Sequence, residues 1–261
     1  MGIFQNHLLG SAASAVGGAF EIDYAINMDE GDGDYVTWSP DAAGNQKKWT
    51  ISLWFKGKET NAEKYLLGGG DSGSSYYLIG FKNTNKMNMD FQTSGPAFVS
   101  TATTFRSTSA WKHLVIALDS TQGTAGNRMK WYINGTQVTA WDTETQPGEN
   151  GDVAWINTTT AQSYQAVSWL AGANFYFADI NFVDGLQLAP TEFGEEDGDD
   201  WIPIDPDVTY GTNGYRLEFK QTGTGQDASG IGADTSGNTN HFATVNLTSG
   251  NRTTDTPTNP S

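Results

Sequence analysis

The sequence predicts an all-β sandwich of two antiparallel sheets preceded by a short helical arm, and three observations carry that reading. Glycine supplies 31 of the 261 residues while charged residues make up only 17%, below the usual proportion of roughly 25%, which favours strands and turns over long helices. From Ala19 onward, short β-rich runs alternate with clusters of Gly, Asn, Asp, Ser and Thr, as strands joined by turns do. The length suits one core, because all-β sandwiches of about 200–250 residues often fold as a single domain.

The arm comes first. Ile3, Phe4, Leu8, Leu9, Ala12, Ala13 and Val16 recur at helical spacing before Gly17-Gly18 ends the pattern, so residues 1–18 read as an amphipathic segment. A helix this short needs something to pack on. Ile3, Phe4, Leu8 and Leu9 are therefore the candidate anchoring residues, aimed at a neighbouring subunit.

The sandwich is expected over residues 19–250. Its runs are Ala19 to Ile26, Tyr35 to Trp38, Trp49 to Lys56, Lys64 to Leu67, Tyr76 to Phe81, Lys86 to Gln92, Ala97 to Thr101, Lys112 to Leu118, Met129 to Ile133, Thr136 to Thr139, Ser168 to Ala171, Phe175 to Phe182, Gly214 to Phe219 and His241 to Asn246. In the third, Trp49, Ile51, Leu53 and Phe55 share one face by alternation and Thr50, Ser52, Trp54 and Lys56 the other, which makes it a core strand with one mainly apolar side. Asn134-Gly135 offers the two positive-φ residues of a type I′ turn, the sharpest hairpin signal in the chain. The acidic stretch Glu195 to Asp200, followed by Pro203 and Pro206, reads as a long loop over 195–207. Residues 251–261, rich in Thr, Asn and Pro, read as a tail ordered only by a partner.

Charge and composition exclude several classes. Thirty acidic against fourteen basic residues give a net charge of -16, which repels polyphosphate and anionic lipid, so neither nucleic acid nor a membrane surface is an expected partner. No cysteine is present, which removes disulfides and thiolate metal sites. No run approaches the roughly 18 apolar residues of a membrane span, and the opening segment lacks the basic start of a secretory signal.

The stretch Ser109-Ala-Trp-Lys-His-Leu-Val115, then Asp119, then Asn127-Arg-Met-Lys-Trp-Tyr-Ile-Asn-Gly135 resembles the laminin-G-like, concanavalin A-like lectin/glucanase superfamily. Phe177 to Gly194, Tyr210 to Phe219 and Asp255-Thr-Pro-Thr-Asn259 are similar to the late strand, the following strand and the closing tag of versions common in tailed-bacteriophage structural proteins. The resemblance implies a jelly roll whose concave face takes glycans in relatives and whose rim loops often hold Ca²⁺. It implies a virion subunit (decoration, fibre or tail-associated) at the outer surface of the particle. Other virion proteins and host cell-surface polysaccharide are then the expected partners, and a homo-oligomer the expected state. The alternative is a purely architectural subunit joining capsid or tail proteins.

Candidate sites follow from residue types. Sugars stack on flat aromatic faces, and Tyr76, Tyr77, Trp155, Tyr164 and Trp169 stand beside polar loops where a rim would lie. Calcium takes six to eight oxygen ligands; Asp71, Asp179 and Asp184 are the candidates, with the acidic runs Asp29 to Asp34 and Glu195 to Asp200 as further possibilities. Glycosidases of the superfamily carry Glu-x-Asp-x-Glu on one strand. Glu21-Ile22-Asp23-Tyr24-Ala25 begins that way and ends in alanine, so Glu21 and Asp23 are expected on the solvent face of an edge strand and no hydrolysis is expected. The only histidines are His7, His113 and His241, too few for triad or zinc-hydrolase schemes, and His113 is expected to pack beside Trp111.

Overall fold

The computed structural model describes residues 20–29, 31–57, 63–72, 75–82, 84–92, 98–165 and 174–260. The expected arm, with Ile3, Phe4, Leu8 and Leu9, lies outside them, as do Trp169 and the run Ser168 to Ala171.

The strands are β1 (Ala25–Met28), β2 (Tyr35–Trp38), β3 (Lys48–Gly57), β4 (Lys64–Ser72), β5 (Ser75–Phe81), β6 (Lys86–Gln92), β7 (Phe98–Thr104), β8 (Lys112–Asp119) and β9 (Met129–Ile133). They continue with β10 (Thr136–Gln137), β11 (Trp141–Thr145), β12 (Gln162–Tyr164), β13 (Phe175–Asp184), β14 (Gly194–Asp197), β15 (Asp200–Pro203), β16 (Tyr215–Leu217), β17 (Ala243–Val245) and β18 (Arg252–Thr253). The helical content of the described residues is three short 3₁₀ turns.

Two eight-stranded antiparallel sheets face each other. The first runs β10-β9-β8-β3-β13-β1-β18, with β16 also paired to β13; the second runs β11-β7-β6-β5-β4-β12-β2-β17. Between them lies one core that includes Trp49, Ile51, Leu53 and Phe55 from β3, Ile79 and Phe81 from β5, Leu114, Ile116 and Leu118 from β8, and Phe177 from β13. Each fully buried side chain of this size contributes about 1.5–3 kcal/mol. The turn at Asn134-Gly135 has φ of 47° and 71° and pairs Thr136 with Ile133, the I′ geometry its residues call for.

The strand expected to bury one side buries both. Thr50, Ser52, Trp54 and Lys56 are each no more than 5% exposed, because the C-terminal third of the chain lays a further layer on the outer face of the first sheet. Trp54 and Ala178 pack there with Trp111, Ile22, Phe20 and Trp201. Farther along, Val115 and Val183 pack with Phe193, Tyr210, Leu188 and Val208.

This layer corrects three expectations. The acidic stretch is not a plain loop: β14 and β15 form a hairpin turning at Gly198 (φ 66°), a conformation glycine takes at no steric cost. Residues 252–259 are part of the fold: β18 pairs with β1, Asp255 accepts from Trp111 Nε1 at 3.1 Å and pairs with Lys56, and Thr258 Oγ1 is bonded to the backbone N and O of Ile22. Glu21 and Asp23 are exposed but precede β1, which is an interior strand between β13 and β18. They line a polar cleft with Thr254, Thr256, Thr258 and Asn259.

Candidate functional site

The outer faces of the two sheets differ in what they present. On the first, several buried polar side chains bond one another, while Trp54 Nε1 and Arg216 Nη2 have no hydrogen-bond partner. His113 stacks between Trp54 and Trp201, with ring centroids 4.8 and 6.0 Å away. Its Nδ1 accepts from Trp201 Nε1 at 2.9 Å, so Nε2 carries the proton and donates to Ser52 Oγ at 2.8 Å. Burial pushes its pKa down to about 3, which keeps the imidazole neutral.

Asp179 sits where the pairing of β13 with β3 slips, at φ 41°. Its Oδ1 accepts from Arg216 Nε at 2.7 Å and its Oδ2 from Asn181 Nδ2 at 3.2 Å. Burial raises its pKa and the guanidinium opposes the rise. Arg216 also bonds Asp205 at 2.6 Å and lies 3.7 Å from Glu218. Asp179 is thus one half of a buried ion pair, not an open ligand.

The other sequence-predicted metal ligands do not join it. Asp184 ends β13, five residues and about 16 Å of strand away. Its Oδ1 accepts from Asn45 N and Asn157 Nδ2 at 2.8 and 2.6 Å, and its Oδ2 from Asn213 N at 3.3 Å, a clamp holding three loops together. Asp71 lies in β4, in the opposite sheet. Among the described residues no group of three or more His, Cys, Asp or Glu could hold a metal ion.

Of the predicted aromatic residues, Tyr77 and Tyr164 are each 1% exposed and belong to the interior core. Tyr77 bonds Gln162 and Tyr164 bonds Tyr215. Both point inward by strand alternation, which corrects the rim expectation for them. Trp155, at φ 68°, is partly buried against the same core. Tyr76 alone of the described four is turned to an outer face.

That face belongs to the second sheet, and its register lays out a platform. Tyr76 on β5 lies opposite Gly70 on β4. The next row is Asp90 on β6, Leu78 on β5, Gly68 on β4, Ser163 on β12 and Thr37 on β2. The row after it is Ser100 on β7, Asn88 on β6, Gly80 on β5 and Tyr65 on β4. Tyr65, Leu78 and Tyr76 form their own apolar cluster, separate from the interior. Gly80 is required there, since a Cβ would meet Lys64 O at 2.2 Å.

A charged border closes on the same rings. The Tyr65 hydroxyl donates to Glu63, and Lys82 Nζ lies 5.9 Å from the Tyr65 ring centre, 2.6 Å from Glu63 and 3.7 Å from Asp90. Hydrogen bonds from Lys82 and Tyr65 hold the Glu63 carboxyl below its ordinary range, while burial and the bond to Glu63 push the Tyr65 phenol well up. Glu63 therefore stays ionised and Tyr65 protonated around neutral pH. Neither is poised to exchange a proton with a substrate, whereas rings beside carboxylates and an ammonium suit the binding of a polyhydroxylated ligand.

Sequence reasoning picked out Tyr76 but passed over Tyr65, Glu63, Lys82, Asn88 and Asp90. The signal was available in part: in Lys86-Met-Asn-Met-Asp90 the polar residues alternate with methionines, so one side of that strand had to be a polar outer surface. That Glu63 and Lys82 meet over Tyr65 depends on pairing across β4 and β5, which no local pattern states.

A jelly-roll sandwich with an aromatic and polar patch on one sheet defines a lectin-like protein. Residues 29–176 match the family described as the concanavalin A-like lectin/glucanases superfamily, and the chain belongs to it. The match ends just inside β13, so the layer over the first sheet lies almost wholly beyond it.

Among solved structures, the chain is similar to a protein of Bacteroides ovatus to which carbohydrate binding has been ascribed, at TM-score 0.55 and 10% identity over 86% of this chain and 58% of that one. It is also similar to a heptameric SAP-like pentraxin of Limulus polyphemus, at TM-score 0.46 and 13% identity, over 66% of this chain and 80% of that one. The first of these likenesses bears out the fold. No curated protein matches the sequence.

Proposed function

We propose that the protein is a non-catalytic carbohydrate-binding subunit of a bacteriophage particle, holding host-surface glycan on the outer face of its second sheet. The observation that carries the reading is the Tyr65–Leu78–Tyr76 cluster bordered by Glu63, Lys82 and Asp90. The family, and an ascription of carbohydrate binding to a protein of similar fold, support it. The place on a particle rests on the late-strand, following-strand and closing-tag motifs that resemble tailed-phage structural proteins.

Affinity at one such patch need not be high. A millimolar site is worth about -4 kcal/mol, and many copies on one particle raise avidity by a factor of roughly 10² to 10⁴.

The test is co-sedimentation of the protein, displayed on beads at high density, with host cells and with their purified surface polysaccharide. Wild type is expected to sediment and Tyr76→Ala to stay in the supernatant, with no new reducing ends released. Equal behaviour of the two proteins overturns the site, and release of reducing ends overturns the non-catalytic part.

A further inference from the structure

One carboxamide on this face is bonded to nothing. Asn88 is 0% exposed, and neither its Oδ1 nor its Nδ2 has a hydrogen-bond partner. Its direction is fixed by its neighbours: Met87 and Met89 both enter the interior core, so the pleat sends Asn88 to the outer face between Lys86 and Asp90. The register puts it opposite Gly80, and Gly80 opposite Tyr65. Asn88 and Tyr65 therefore stand two strands, about 10 Å, apart, with a residue lacking a side chain between them.

A buried polar group without a partner is rare in folded proteins and asks for an explanation. Threonine or valine would suit an inert strand here better. A carboxamide offers one acceptor and two donors, which is what adjacent hydroxyls of a pyranose match.

The charges around it narrow the ligand. Lys82 is held by Glu63 and Asp90, and Lys86 by Asp142. Three carboxylates thus face two ammonium groups that are already paired, on a protein whose net charge is -16. None of the residues forming this border is an arginine, the side chain that takes a carboxylate in bidentate fashion. A uronic or sialic acid would meet repulsion, and an uncharged sugar would not.

We infer that the outer face of the second sheet takes a neutral pyranose polymer, with the Asn88 carboxamide as the polar contact that selects it. The inference rests on the carbohydrate-binding reading above. Lys86, two residues earlier on the same face, reaches a half-exposed Asp142. Surface pairs of this kind open at little cost, and the inference takes that opening as the way in to Asn88.

The experiment is affinity electrophoresis of the full chain through gels containing dextran, mannan or polygalacturonate, with thermal unfolding measured on the same proteins. Wild type is expected to be retarded by at least one neutral polymer and not by polygalacturonate. Asn88→Ala and Asn88→Leu are expected to weaken that retardation about tenfold or more while keeping or raising Tm, because no native hydrogen bond is lost. A fall in Tm of several degrees in both variants would mark Asn88 as a structural amide and overturn the inference, as would undiminished retardation of both. Stronger retardation by polygalacturonate than by the neutral polymers overturns the neutral class and leaves the carbohydrate reading standing. Retardation by none of the three, for wild type, removes both.

Discussion

The two outer faces make an instructive pair. On the first sheet, residues brought from far along the chain (Phe20, Ile22, Phe193, Trp201, Tyr210) lie over the strands, and the polar groups beneath them are paired: His113 with Trp201 and Ser52, Asp179 with Arg216 and Asn181, Lys56 with Asp255. On the second, the apolar cluster of Tyr65, Leu78 and Tyr76 among the described residues comes from two neighbouring strands, and Asn88 is left unbonded. Both faces carry aromatic rings and ionisable groups, so composition does not separate them. The cover separates them: the first face lies under residues brought from elsewhere in the chain, and the second carries a carboxamide with neither polar atom bonded.

The contrast can be broken most forcefully at Arg216. Arg216→Met removes the partner of a carboxylate that is 2% exposed, and a broken buried pair typically costs about 3–5 kcal/mol. Urea unfolding is expected to show a loss of that order; a loss below about 1 kcal/mol would mean the network contributes little.

Next comes the closing strand. Asp255→Ala strips Lys56, 5% exposed, and Trp111 Nε1 of their shared carboxylate, and a loss of about 2–3 kcal/mol is expected in the same assay.

Acid should act on the first face through His113. Its folded pKa of about 3 lies below its unfolded value of 6.5, so the unfolded chain binds the extra proton between those values. The stabilisation is whole above pH 6.5 and declines as pH falls from 6.5 toward 3. A series of unfolding midpoints from pH 7 to pH 4 is expected to drop, and His113→Gln should flatten that dependence. A slope unchanged by the substitution would assign the effect to the carboxylates.

The smallest effect on stability is expected on the second face. Tyr76→Ala should shift the unfolding free energy by about 1 kcal/mol while abolishing sedimentation with polysaccharide; a large stability loss would make Tyr76 a packing residue like Tyr77.

How much of this was written locally follows from the same contrast. Alternation in Trp49 to Phe55 and the Asn134-Gly135 turn were legible because strand period and turn chemistry act within a few residues. Trp54 was assigned to the polar side of its strand because the residues that cover it, Phe20 and Ile22 before it and Trp111 and Trp201 after it, come from distant parts of the chain. The terminal segment was expected to need a partner for a related reason: its low hydrophobicity gives no sign that Asp255 will meet Lys56, 199 positions earlier. Nor does the sequence state that Asp179 and Asp184, on the same strand, face separate networks, Asp179 with Arg216 and Asp184 with Asn45, Asn157 and Asn213. The platform was half legible, through the alternating residues of β6, and half not, since Glu63 and Lys82 meet only by the pairing of two strands.

The bonds joining Ile22 to Thr258 have a mechanical side. A load applied to the chain on either side of these two positions enters at neighbouring points, and it meets first the two-residue pairing of β18 with β1. The final strand would peel away one bond at a time before the paired sheets felt any shear. That makes a sacrificial joint: the final strand is expected to give way at low force and to re-form when the tension drops, before the two large sheets are disturbed.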